Sequence, residues 1–106
     1  MSAITTHILD TSRGAPAAGV PVRLEHQASV GEWKQLGSGV TNSDGRLAGL
    51  PEVTAGIYRL TFDTRAYSPD GLYPEVAVTF EVRDTGRHYH IPLLLSPYGY
   101  TTYRGS

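Results

Sequence analysis

The chain has no cysteine, so neither a disulfide framework nor a thiolate-held metal can contribute to its fold. It also has no basic run: nine Lys and Arg against ten Asp and Glu leave a net charge of −1, spread along the sequence. The electrostatic footprint by which proteins meet a nucleic-acid backbone is therefore missing, and no nucleic-acid partner is expected. No apolar run approaches the roughly 18 residues of a membrane span. Nothing near Met1 reads as a charged segment followed by an apolar one of the kind that directs secretion. The expectation is a soluble, unprocessed protein without a membrane partner, cytoplasmic in a bacterium. In a eukaryote the cytosol or the peroxisome stays open, the last three residues not being a Ser-Lys-Leu type address. Internal repeats, linkers and low-complexity segments are absent as well.

What remains is a chain of 106 residues, enough for one domain over residues 1–106. By surface scaling it buries roughly 65% of its unfolded surface without staples. Its signal is strand-like throughout. Residues 4–10 put Ile4, Thr6 and Ile8 on one face and Thr5, His7 and Leu9 on the other. After a turn rich in Gly, Ala and Pro, Val20, Val22 and Leu24 alternate with Pro21, Arg23 and Glu25. Residues 32–40 carry Trp33 and Leu36 and close on an Asp44-Gly45 turn, which holds Arg46 just past it. Tyr58, Leu60 and Phe62, then Val76, Val78, Phe80 and Val82, repeat the period of two. Between them, residues 63–73 are the one place for a short helix, with Asp63 or Thr64 as its cap and Gly71 beyond its end. Seven or eight short strands with frequent turn signals predict an all-β, antiparallel sandwich.

Residues 88–106 are the most informative stretch. On an extended strand His88 and His90 share one face, while Tyr89, Ile91, Leu93 and Leu95 share the other. Ser96 to Gly99 supply a turn, and Tyr100 to Tyr103 resume a strand, making a hairpin, with the core expected to end near Leu95 and Tyr100. Pro92 conflicts with a regular ladder, since proline cannot donate to one; with Leu9 and Leu94 it is expected to form an outer apolar patch that association covers. The tail Tyr103, Arg104, Gly105 and Ser106 brings an aromatic, a guanidinium and a hydroxyl that can close over a site on this strand; fraying is the commoner fate of a terminus. His26 belongs to no motif and reads as solvent-facing.

Several motifs together carry a family resemblance over nearly the whole chain. They are Thr6-His7-Ile8-Leu9-Asp10; Gly14 through Gly19 into Val20-Pro21-Val22; Asp44-Gly45-Arg46; Tyr73-Pro74-Glu75-Val76; His88-Tyr89-His90-Ile91-Pro92-Leu93-Leu94-Leu95-Ser96-Pro97; and the terminal Tyr103-Arg104-Gly105-Ser106. In this order they resemble the 5-hydroxyisourate hydrolases, transthyretin-related enzymes of urate breakdown. The terminal tetrapeptide and the residues at His7, Arg46 and His90 resemble the enzymes and not the hormone-binding transthyretins.

The resemblance implies an eight-stranded transthyretin-like sandwich assembled as a homotetramer, a dimer of dimers, with active sites in a channel between dimers. It implies hydrolysis of the ring amide of 5-hydroxyisourate to 2-oxo-4-hydroxy-4-carboxy-5-ureidoimidazoline. His7, Arg46 and His90 would be catalytic, and His7 and Arg46 with Tyr103, Arg104, Gly105 and Ser106 would bind substrate. No metal and no cofactor are implied. The chemistry is consistent: the step needs a base for water, a cation or donor for the oxyanion and an acid for the leaving nitrogen. Imidazole titrates near neutrality and guanidinium stays charged. Which histidine is the base stays open at this point, and His88 reads as a residue of the channel mouth. A zinc site on three histidines is opposed by an arginine in the same pocket, and a Ser106 nucleophile by the lack of a rigid elbow at a terminus. The competing class is a transthyretin-like carrier or binding module, which calls for an apolar channel.

Overall fold

The computed structural model describes residues Met1 to Ser106. Two sheets pack face to face. The first contains β1 (Ile4–Asp10), β2 (Ala15–Pro16), β5 (Arg46–Leu47), β8 (Tyr89–His90), β9 (Leu93–Ser96) and β10 (Gly99–Thr102). The second has the order β4 (Glu32–Val40), β3 (Pro21–Ser29), β6 (Gly56–Phe62) and β7 (Val76–Val82). The expected short helix is present as α1 (Thr64–Tyr67), one turn capped by Asp63, whose carboxylate accepts from the Ala66 N–H.

The alternations read from the sequence become the two inner faces. Ile4, Ile8, Leu93 and Leu95 come from the first sheet, and Val22, Leu24, Leu60, Phe62, Val76 and Val82 from the second; all are buried. Each such side chain contributes about 1.5 to 3 kcal/mol by leaving water. The sandwich is antiparallel in every pair but those β1 makes with β8 and β9, which are parallel. The irregularity expected at Pro92 falls between these two short strands. Register against β1 is the same on both sides of it. The Ile91 N–H still donates to the Thr5 carbonyl at 2.9 Å, and side chains satisfy the carbonyls: Thr6 Oγ1 donates to that of Ile91 at 2.6 Å and Thr102 Oγ1 to that of Pro92 at 2.7 Å.

Two expectations need correction. His26 does not simply face solvent: it is half-buried and stacks on Tyr58, with ring centroids 5.0 Å apart. Tyr100 lies outside the core, 42% exposed, with its ring edge-on to Tyr73. Glu25 was not expected inside at all. It is buried and holds Arg59 by two hydrogen bonds of 2.9 and 3.0 Å, and Thr61 donates to it at 2.7 Å. Those bonds, the Arg59 pair foremost, keep the Glu25 carboxyl below the usual carboxylate range.

Candidate active site

β1 organises the site. Its outward residues are Thr5, His7 and Leu9, and it has a different neighbour at each end of its outer face. On one edge Thr5 is paired with His90 of β8; on the other, His7 is paired with Arg46 of β5. Partners in register present their side chains on the same face. One strand thereby gathers His7, Arg46 and His90 on the side of the sheet away from the core. The strands carrying His7 and His90 are immediate neighbours, so their imidazoles can converge on one face of the sheet.

Arg46 is delivered by a tight turn. The Asn42 side chain accepts from the N–H groups of Asp44 and Arg46 at 2.9 and 3.0 Å. Gly45 adopts φ +74°, and a Cβ there would run into the carbonyl oxygen of Ile8, so the turn can close on β1 only with glycine. The Ile8 N–H then donates to the Gly45 carbonyl at 2.7 Å. His7 is tied to the same turn, its Nε2 lying 2.9 Å from the Asp44 carbonyl oxygen. A carbonyl only accepts, so this nitrogen carries the proton and Nδ1 is left as an acceptor.

A cavity of about 280 Å³ opens here, lined by Thr5, Arg46, His88, His90 and Ser106 together with Thr6, Leu47 and Ala48. Thr5 Oγ1 is 2.7 Å from His88 Nε2 and 2.8 Å from His90 Nδ1. The tail is not frayed. The Gly105 N–H donates to the His90 carbonyl at 2.8 Å in an antiparallel bridge, and this contact brings Ser106 to the cavity. His90 is held below its ordinary pKa of 6.5, first by burial and then by the positive fields of His88, Arg46 and His7; a hydrogen bond to the Thr5 main chain works the other way.

Of the residues singled out from the sequence, Arg46, His90 and Ser106 meet in this cavity, and Gly105 supports it with main chain. His7 and Tyr103 lie outside the lining, and Tyr103 is 53% exposed. Arg104 places its guanidinium 4.2 Å from the centroid of the Tyr89 ring, a cation–π contact outside the cavity. His88, read as a residue of the channel mouth, is exposed yet lines the cavity. Thr5 was not recognised in advance; the signal was its place two residues before His7 on the same face. No three of the histidine and carboxylate side chains form a group that could hold a metal ion.

These features define a small β-sandwich with an acid–base cavity on the outer face of one sheet. The model of the HIUase/Transthyretin family matches residues 4–105, and the chain belongs to that family. It is 48% identical to the 5-hydroxyisourate hydrolase of Salmonella typhimurium over 97% of its own length and 80% of that protein's. It is 43% identical to the uric acid degradation bifunctional protein TTL of Arabidopsis thaliana, of which it spans only 37%. The solved structure of Klebsiella pneumoniae 5-hydroxyisourate hydrolase, 37% identical, superposes over the full length of both chains with a TM-score of 0.89. Sea bream transthyretin in complex with thyroxine, 34% identical, gives 0.90 over 96% of this chain and 93% of its own.

Proposed function

We propose that the chain hydrolyses 5-hydroxyisourate, opening its ring amide with water activated in this cavity. The observation that carries this reading is His90. It is a half-buried imidazole beside Arg46 whose Nδ1 is engaged by Thr5 and whose pKa is lowered, first by burial, which favours the neutral ring that a general base needs. His90 takes a proton from water as the oxygen adds to the ring carbonyl. The Arg46 guanidinium stabilises the oxyanion, and the imidazolium returns the proton to the leaving nitrogen as the C–N bond breaks. His7, with Nε2–H held by Asp44, offers Nδ1 to an N–H of the substrate. Of the tail, Gly105 and Ser106 wall the pocket, with the Ser106 hydroxyl as a polar contact, while Tyr103 and Arg104 stay outside it. No metal or cofactor takes part.

The cavity is open on its outer side, and in this reading a second dimer closes it, giving a homotetramer with two-fold symmetry. A carrier of apolar aromatic ligands calls for an apolar channel; two imidazoles and a guanidinium line this one, which supports enzyme over carrier. The deciding experiment follows the loss of 5-hydroxyisourate absorbance with purified protein, with and without a chelator. Acceleration well beyond spontaneous decay in both conditions is expected. A rate equal to spontaneous decay would reject the proposal.

A further inference from the structure

Thr5 stands between the two imidazoles of the cavity, its hydroxyl within hydrogen-bond distance of His88 Nε2 at 2.7 Å and of His90 Nδ1 at 2.8 Å. Parallel pairing of β1 with β8 holds the Thr5 and His90 backbones in register, so this contact is built into the sheet. A hydroxyl has one proton to give, and a neutral imidazole has an N–H on one nitrogen only. Thr5 cannot donate to both rings, so at least one ring must present its N–H to Thr5. Two neutral arrangements use the hydroxyl proton. In the first, His90 donates from Nδ1 to Thr5 and Thr5 donates to His88. In the second the direction is reversed, and His90 carries its proton on Nε2.

The rest of the His90 surroundings select the first. Nδ1 lies against Thr5, whose hydroxyl oxygen can accept its proton at 2.8 Å, and the Thr5 main chain also favours a proton on the ring. The Cδ2 and Cγ edge of the ring is covered by the Gly105 main chain, where even a Cβ would come within 2.5 Å of Cδ2. Nothing in the chain hydrogen-bonds to Nε2, which is left for the cavity. We propose that Thr5 is a positioning residue: its hydroxyl fixes His90 as the Nδ1–H tautomer, so that the bare Nε2 faces the cavity as the base, and it anchors His88 by the other end of the same chain of hydrogen bonds. This deepens the hydrolytic reading of the cavity and rests on it. When Nε2 takes the proton of water, the Nδ1–H to Thr5 bond persists and strengthens, because its donor has become charged. No proton has to leave the ring for the step to proceed.

The test uses the full-length protein with ¹⁵N-labelled histidine, whose ring nitrogen shifts distinguish protonated from bare nitrogen. The wild type is expected to show His90 as Nδ1–H. Thr5→Val, which keeps the shape and removes the hydroxyl, should lose the single tautomer and lower kcat at least about tenfold while KM stays within about twofold. Thr5→Ser should restore the tautomer and at least about a third of kcat, and Thr5→Ala serves if the valine variant does not fold. A His90 Nε2–H tautomer in the wild type overturns the proposal, as does an unchanged tautomer or kcat in the variant lacking the hydroxyl. If the wild type does not accelerate 5-hydroxyisourate loss, the proposed activity falls, while the shifts still decide what Thr5 does to His90.

Discussion

The main chain of Gly105 lies against the ring of His90. Its N–H donates to the His90 carbonyl at 2.8 Å, and a Cβ added to it would stand 2.5 Å from Cδ2 of that ring and 3.3 Å from Cγ of Pro92. Real contacts of this kind do not come so close, so the tail and the imidazole can occupy these positions together only with glycine at 105. The tail is in this way part of what orients the proposed base.

Gly105→Ala must either turn the His90 ring or lift the tail. It is expected to lower kcat/KM at least about tenfold, with a change in stability of about 0.5 kcal/mol or less, the usual size for a surface substitution. Deleting residues 103–106 should cut turnover more severely still and leave the sandwich folded, since the core lies elsewhere. Circular-dichroism melts alongside kinetics check both. Wild-type kcat/KM in the truncated protein would show that the tail has no part in the site.

Among the histidines, chemistry and solvation differ by orders of magnitude. A general acid or base is worth typically 10² to 10⁴-fold in rate. His90→Asn and His7→Asn are each expected to lower kcat at least about 100-fold with little change in Tm, and Arg46→Gln to do so with a larger rise in KM. His26→Asn, on the other sheet against Tyr58, should leave kcat unchanged. If His90→Asn kept more than about half of wild-type kcat as an intact tetramer, the base would have to be sought at His88.

The pH profile has a definite sign. His90 must be neutral to act as base, and burial, followed by its positive neighbours, places its pKa below 6.5. The acid limb of kcat/KM should therefore fall through a midpoint below 6.5, with full activity above it. Arg46→Gln removes one of the charges that oppose protonation, so in residual activity the midpoint should move up. A midpoint that stays put in this variant would separate the acid limb from His90.

Assembly should follow from the outer face of the first sheet. Leu9 and Leu94 are half-exposed and paired in register beside the cavity. Pro92, expected to extend this apolar patch, is instead buried within the chain. A homotetramer is expected by light scattering at micromolar concentration. A fully active monomer would show that one chain's cavity suffices.

Much of the fold was legible because strand patterning is local. A period of two in residues 4–10, 20–24, 58–62 and 76–82 decides which side chains leave water wherever those strands end up. Turn chemistry at Asp44-Gly45, and the cap at Asp63, are equally local, which is why Arg46 and α1 fell where expected. Buried Glu25 was not legible, because what makes its burial tolerable is Arg59, 34 positions away along the chain and adjacent in space.

The candidate site divides along the same line. By itself the sequence determined the reactive groups and the face each one takes on its own strand: His88 with His90, Thr5 with His7, and Arg46 beyond its turn. Only the tertiary structure decided which of them meet. Parallel pairing of β8 with β1 set Thr5 beside His90 and under His88. Antiparallel pairing of β5 with β1 set Arg46 beside His7, and the bridge from Gly105 turned a terminus that ordinarily frays into a wall of the cavity. Register between distant strands is a property of the packed sheet, because hydrogen bonds and side-chain fit across strands choose it and no single strand contains that information.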